Sequence, residues 1–299
     1  MTAGPDPSQV KAGKIAARVL KEIASEIKPD VKVISICTLV EKKIIEYGGR
    51  PAFPCNVSIN NIAAHFTSPL NDKTVLPDVG LVKVDIGAQV DGYLSDVAKT
   101  FDMNGDLEIM VAATDDALEE AIAMMHPGTK VGDIGNTIEK VIKAYGIKPI
   151  SNLTGHNMRR WLLHAGKSIP NVKSRSSEII EAGEIYALEP YATSGYGQVI
   201  DTDLVYIYAN TGKDVPLEGT TEKLRLHLRK KYGPLPFAAR WVGTTSKDID
   251  LFEEIRELLK AKALRGYPVQ ASRKGRPVSQ SEHTVFVSES GPVVLTKSD

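Results

Sequence analysis

The sequence predicts an α+β fold made of two related halves, with a helical subdomain inserted late in the chain. Three observations carry that prediction. A helix-turn-helix stretch recurs at a fixed offset of 98 residues. Each copy is followed by a strand-like run that ends in an acid. The segment from about residue 205 to 270 has no counterpart in the first half.

Size and composition bound the reading. At 299 residues the chain can bury a sizeable core, and length alone suggests about two domains. Apolar content of 42% and charged content of 25% are ordinary for a globular protein. Zero formal net charge gives no global attraction to nucleic acid or to an anionic membrane. Cys37 and Cys55 are too few for a disulfide scaffold and lack zinc-finger spacing, which fits a reduced, cytoplasmic compartment. Residues 1–10 show no basic-then-apolar signal pattern, and no apolar run is long enough for a membrane span.

The elements follow in order. Ser8 opens a helix whose apolar face carries Val10, Ile15, Val19, Leu20, Ile23 and Ile27, and Pro29 closes it. A second helix is expected over 35–47, stopped by Gly48-Gly49. Residues 51–60 read as a loop leading to His65. A β-hairpin occupies 82–101. A third helix is expected over 107–125, and a fourth over 131–145. The 28–33 segment, Lys-Pro-Asp-Val-Lys-Val, lines up with 126–131, His-Pro-Gly-Thr-Lys-Val. At the same offset Glu41-Lys42, Ile44, Tyr47-Gly48 and Pro51 match Glu139-Lys140, Ile142, Tyr145-Gly146 and Pro149. Amphipathic helices resemble one another, but shared Pro and Tyr-Gly punctuation at one offset marks a duplication. With a small slip the repeat runs on into the strands, so that Asp85 and Glu189 look like counterparts in two halves facing one crevice. The inserted region, 205–270, reads as two helices over 220–232 and 248–264. Its stretch 220–265 holds 11 Lys+Arg against 6 Asp+Glu, a balance more typical of a solvated helix face than of a nucleic-acid site. Residues 1–204 and 271–299 then form the main domain.

The hairpin holds the first chemistry. Asp91-Gly92 between apolar and β-branched residues is a strong two-residue turn signal. With that turn Val90 faces Tyr93 and Asp96 sits opposite Gly87. Alternation places Asp85 and Asp96 on one face as diagonal neighbours, roughly 7 Å apart. Two such carboxylates repel unless a proton or a cation lies between them, and Gly87 brings no side chain to fill the gap. Two aspartates on a wet sheet face are the plain alternative. Further acids tilt the balance: Glu189 and Glu282 also interrupt strand-like runs, and His156 lies in Leu153-Thr154-Gly155-His156. Four carboxylates and one imidazole suffice for two divalent ions if acids bridge them; one ion would need fewer.

Several spaced motifs occur together: Phe53-Pro54, Ala63-Ala64-His65, the hairpin aspartates, Leu153-Thr154-Gly155-His156, Leu163-His164-Ala165-Gly166, Ala187-Leu188-Glu189-Pro190 and Glu282-His283-Thr284. In this order they resemble the methionine aminopeptidases, over nearly the whole chain. The helical insertion between Glu189 and Glu282 resembles the type II class, and the short N-terminus is similar to archaeal members.

The resemblance implies a "pita-bread" fold around a dinuclear site. It also implies removal of the initiator Met from nascent polypeptides with a small second residue, and a cofactor of two divalent ions, Co, Mn, Fe or Zn. Carried over by motif, Asp85 would chelate one ion, Asp96 and Glu282 would bridge both, and His156 with Glu189 would complete the second. Glu189 would also move the proton to the leaving amine. His65 and His164 would contact the scissile peptide without binding metal, and Phe53, Leu163 and Tyr267 would wall the methionine pocket. The ribosome is the macromolecular partner to consider, and a cytoplasmic monomer is expected.

Each residue has a blander reading. His65 and His164 would otherwise be satisfied core histidines, and Phe53 and Tyr267 core aromatics. His126, His227 and His283 read as structural or exposed, and Asp91 as a turn residue. Ser281 stands where the family usually has an aromatic, which predicts looser packing behind Glu282. Two rival functions remain. An X-Pro peptidase shares the fold but usually carries an extra N-terminal domain and lacks the insertion. A catalytically dead relative that binds RNA or protein would have lost metal ligands, whereas all five are here. Metal analysis and a peptide panel separate the three.

Overall fold

Asp6 starts the first helix. Its carboxylate accepts the Ser8 N–H at 2.8 Å and Pro7 occupies the first turn, so α1 spans Pro7–Ile23, and Ser8 lies inside it rather than at its cap. The computed structural model describes residues 4–243 and 250–297. The next helices are α2, Val33–Glu46, α3, Glu108–Ala123, and α4, Val131–Ala144, all within a few residues of expectation. Duplication shows in their ends. Both α2 and α4 begin after an extended lysine, Lys32 or Lys130, each of which forms a β-bridge, to Val75 and Ile179. Both end at a tyrosine followed by a positive-φ glycine, Gly48 (81°) and Gly146 (76°), the left-handed stop that glycine adopts at least cost.

Each helix pair covers one face of a sheet. In the first half the strands Asn56–Ile59, Leu81–Ile86 and Val97–Asp102 are antiparallel, with Leu81–Ile86 in the middle. Val82, Val84 and Ile86 pack on Ile15, Val19, Ile23, Ile36, Val40 and Ile44. Pleating therefore turns Asp85 the other way. In the second half Tyr186, Leu188, Val285 and Val287 pack on α3 and α4. The Asn56–Ile59 strand corrects the expected loop over 51–60.

The hairpin keeps a single register, Val90 against Tyr93 and Asp85 against Ala98, with Asp91 at φ 51° in its turn. Its strands nevertheless break at Gly87 and at Ser95-Asp96, between Leu81–Ile86 and Ala88–Val90 and between Tyr93–Leu94 and Val97–Asp102. The second half breaks in the same place. Leu188 pairs with His283 and Tyr191 with Gln280, leaving Glu189-Pro190 opposite Ser281-Glu282. Aligning the breaks makes Asp96 the counterpart of Glu282. It also puts Glu189 in the place of Gly87 and Ala187 in that of Asp85, two residues from the match expected between Asp85 and Glu189. The halves meet along this seam. Ala98 and Glu282 form a bridge, and the Thr284 hydroxyl accepts the Asp96 N–H at 2.7 Å while donating to the Asp96 carbonyl at 2.7 Å.

The inserted helices are α5, Gly219–Tyr232, α6, Ala239–Val242, and α7, Leu251–Lys260. They hang between two long paired strands, Val199–Asn210 and Leu264–Ser272, inside which the expected boundaries at 205 and 270 fall. The helix expected over 248–264 is shorter, because Leu264 begins a strand; Asp248 lies outside the described residues. The insertion is tied to the first half through α6. Arg240 pairs with Glu41 of α2 and reaches Thr67 Oγ1 at 2.7 Å, and Trp241 Nε1 donates to Glu41 at 2.8 Å. No helix among the described residues is long and apolar enough to cross a membrane. Removing one partner of a buried pair leaves the other charge uncompensated, so Arg240→Ala should cost about 3–5 kcal/mol at neutral pH. Denaturant unfolding measures this; a loss below about 1 kcal/mol would make the pair dispensable.

Candidate metal centre

Ten side chains singled out by sequence line one cavity: Asp85, Asp96, His156, Glu189, Glu282, His65, His164, Phe53, Leu163 and Tyr267. Asp85 points from the middle strand of the first sheet. His156 is set in Thr154–Met158 with Ala187 as cross-strand neighbour, the place that Asn56 takes beside Asp85 in the first half. Asp96, Glu189 and Glu282 stand at the strand breaks, where the backbone has left the ladder and the side chains turn inward. His156 Nε2 lies 3.6 Å from Asp96 Oδ2 and 3.8 Å from Glu189 Oε1. Ligand atoms of Asp96, His156 and Glu282 all fall within 4.8 Å of one another.

Burial decides the electrostatics. Desolvation, then the Asp96 charge, pushes the Asp85 carboxyl well above the usual range. Asp96 is raised to about 7 by burial, restrained by a hydrogen bond shared with Asp85. Glu189 and Glu282 are raised by burial and by their acidic neighbours. Oδ1 of Asp85, Oδ1 of Asp96 and Oε1 of Glu282 are buried without a hydrogen-bond partner. Acceptor-only oxygens in that state call for a cation, and a set of oxygens with one imidazole suits divalent ions of hard to borderline character.

The other histidines stay neutral. Burial lowers His164 to about 3, helped by His156, Arg265 and His65. Burial likewise lowers His156 to about 4 and lowers His65. The rings of His156 and His164 are 4.3 Å apart, and the His65 ring meets Tyr267 edge-on at 5.5 Å. His65 has a left-handed backbone (φ 63°), a conformation that costs a non-glycine residue energy and gathers at functional sites. Its Nδ1 is 3.1 Å from the Pro268 carbonyl, so Nδ1 carries the proton.

Two local expectations change. Gly87 does not leave open space between the acids; a Cβ there would lie 2.3 Å from the Phe53 ring, which fills the gap. Ser281 is not loosely packed. It is buried, with its hydroxyl bonded to Asp115 and 3.0 Å from Thr114 Oγ1 of α3. Sequence reasoning missed Asn56, Tyr191, Ile207 and Pro236, which also line the cavity, together with Ala64 of the Ala63-Ala64-His65 motif. Asn56 is the cross-strand partner of Asp85 and would have followed from recognising its strand. His126 lies against Gly291, His227 is exposed, and His283 Nδ1 is 2.9 Å from Thr296 Oγ1, as befits structural or surface residues.

Comparison with known proteins fits this geometry. Residues 9–221 match the model of metallopeptidase family M24. The methionine aminopeptidase of Methanocaldococcus jannaschii is 43% identical over 288 residues, 96% of this chain and 97% of that protein. The chain belongs to the methionine aminopeptidases. It is a type II member, as the insertion implied. Solved methionine aminopeptidases share its pita-bread fold: that of Thermotoga maritima matches with a TM-score of 0.72 at 23% identity, each chain covered completely. A thermophilic Arx1 matches with a TM-score of 0.84 at 21% identity, over 97% of this chain and 90% of that one.

The raised carboxyls set a pH dependence for a methionine aminopeptidase stripped of metal. Folded, metal-free protein holds protons that the unfolded chain releases above about pH 4, so stability falls as pH rises. Lowered histidines act oppositely, but only below about 6.5, above which they are neutral in both states. Buried Lys83, lowered to about 7, opposes the fall above that pH, one group against three raised carboxyls. Chelator-treated protein should therefore lose thermal stability from pH 6.5 to 8, and added divalent metal should abolish the loss. Melting scans test this; a chelated protein that grows more stable across that window contradicts it.

Proposed function

We propose that the chain hydrolyses the peptide bond after an N-terminal methionine, acting on peptides and nascent polypeptides with a small second residue. One observation carries this reading: an apolar wall of Phe53, Leu163 and Tyr267 shares a cavity with four carboxylates, Asp96 and Glu282 among them buried, and three histidines. Such a wall suits an unbranched thioether side chain. In this reading Asp85, Asp96, His156, Glu189 and Glu282 would hold two divalent ions, with Asp96 and Glu282, equivalent by the duplication, serving both. Bound ions supply Lewis acidity, which acidifies water and polarises a carbonyl.

The chain's own residues do the rest. Glu189 takes up a proton and delivers it to the departing amine, a task suited to a carboxyl held above its usual range. His164 donates to the scissile carbonyl oxygen as a neutral imidazole, so it adds no positive charge beside the cations. His65, whose Nδ1–H is committed to Pro268, offers Nε2 as an acceptor to the substrate peptide N–H. One chain supplies both halves of the site, which supports a monomer, with residues 205–270 as the inserted subdomain. We place its action in the cytoplasm at the ribosome, where initiator methionines first become accessible.

A peptide panel tests the reaction. Met-Gly, Met-Ala and Met-Ser peptides should be cleaved efficiently, and Met-Leu and Met-Lys peptides poorly. Fast cleavage of X-Pro dipeptides without preference for Met overturns the assignment. Variants test the roles. Asp96→Ala and Glu282→Ala should lose metal together with activity. His164→Ala should keep both ions and lose about 10²–10³ in kcat, as removal of one oxyanion donor does elsewhere. Metal content paired with steady-state kinetics reads both; a lost ion in His164→Ala would make that residue a ligand.

A further inference from the structure

Four clustered carboxylates accept hydrogen bonds and donate none while ionised, so something must fix which oxygen of each faces the cavity. A lysine or arginine in that position would hold them but would repel divalent cations. A neutral donor has neither fault. Two such donors stand directly across from each other on one pair of strands. Tyr191 opens the Tyr191–Thr193 strand and Gln280 ends the Val278–Gln280 strand, and their Cα atoms are register partners. Both are almost fully buried, at 2% and 1% exposure. The Tyr191 phenol lines the cavity beside Glu189, close enough that the Glu189 charge adds to burial in raising it. The Gln280 amide donates to Glu282 Oε2 at 3.3 Å and lies close enough to Asp85 to draw its carboxyl down against burial.

The geometry is specific. The break after Leu188 sends Glu189 inward and returns the chain two residues later as Tyr191. The break before His283 does the same for Glu282 and Gln280. Each acid therefore has its donor two residues away along its own chain, and the two donors are joined by the ladder. Tyr191 also lines both the main cavity and the adjoining one, which runs past Asn152, Thr154, Ser168 and Gln270.

We propose that Tyr191 and Gln280 form a neutral positioning rung under the site: Tyr191 orients Glu189 for proton transfer, and Gln280 orients Asp85 and Glu282 for metal. The inference rests on the reading of Glu189 as the proton-moving group and of Asp85 and Glu282 as ligands. The division of labour makes the two residues separable. Loss of the Tyr191 hydroxyl frees Glu189 alone, the proton carrier and one ligand of five, so it should slow turnover more than it weakens metal binding. Loss of the Gln280 amide frees both of those acids, so it should weaken metal binding itself. Outer groups that orient metal ligands are typically worth about 10–100-fold in affinity or activity.

The test uses Tyr191→Phe and Gln280→Met, which keep ring and chain length and remove only the donors. Metal-free forms are titrated calorimetrically with Mn²⁺, and the loaded forms are assayed on a Met-Ala-Ser peptide. Tyr191→Phe should lower kcat about 10-fold or more, with a smaller loss of Mn²⁺ affinity than in Gln280→Met and with KM and melting temperature near wild type. Gln280→Met should weaken Mn²⁺ binding about 10-fold or more, with a normal melting temperature. Unchanged kcat in Tyr191→Phe, or unchanged Mn²⁺ affinity in Gln280→Met, overturns the rung. Equal loss of melting temperature in both, with no kcat-against-affinity split, overturns it in favour of simple packing. Failure of the wild type on Met peptides would instead strike the proposed reaction, and the Mn²⁺ titrations would still decide the role of Gln280.

Discussion

Four carboxylates buried in one cavity cannot all be ionised with nothing between them. Desolvation raises every one, the charges of neighbouring acids raise Asp85, Glu189 and Glu282 further, and three of their oxygens have no hydrogen-bond partner. Protons or cations must occupy that space, and the cofactor class of the family supplies cations. Much of the architecture keeps these acids together despite the repulsion. Two helix-backed sheets give each half a rigid apolar core, so the price of crowding is met by packing elsewhere. The Ala98–Glu282 bridge and the Thr284 hydroxyl then lock the two broken strand pairs side by side.

The duplication explains why the site has the composition it has. The same break occurs in both hairpin-like pairs, and at it Asp96 and Glu282 are equivalent, which suits them to equal roles between two ions. The remaining positions have diverged. Asp85 has Ala187 as its counterpart, and Glu189 has Gly87. Each half thus gives one acid that the other half matches and one more at a position where the other half is neutral. Gly87 in turn leaves room for the Phe53 ring, so a position that carries an acid in the second half gives space to a pocket wall in the first.

Much of this was legible in the sequence. Asp91-Gly92 fixed the register of the hairpin because a two-residue turn leaves no freedom in pairing. Tyr47-Gly48 and Tyr145-Gly146 marked equivalent helix ends because both need a left-handed residue there. The less legible parts depend on tertiary context. Asn56–Ile59 hid behind Pro51 and Pro54, whose missing N–H groups argue against a strand, although pairing begins just past them. Asp85 and Glu189 were matched because both end apolar runs; only the cross-strand registers place the breaks and shift the match by two. Gln280 and Tyr191 lack charge and gave no signal, since their roles come from facing each other across a ladder that a linear reading does not contain. Ser281 was expected to loosen the packing, yet its hydroxyl finds partners on α3, an element far away in sequence.

The central claim is that cations take the place of protons among these acids. Proton release on metal binding tests it most directly. Calorimetric titration of the metal-free protein with Mn²⁺ at pH 7, repeated in buffers of different ionisation enthalpy, counts the protons displaced. The account predicts release of at least about one proton per chain, falling as the pH is raised through the carboxyl range. Binding whose heat is the same in every buffer would mean that the acids are already ionised without metal, and would contradict it.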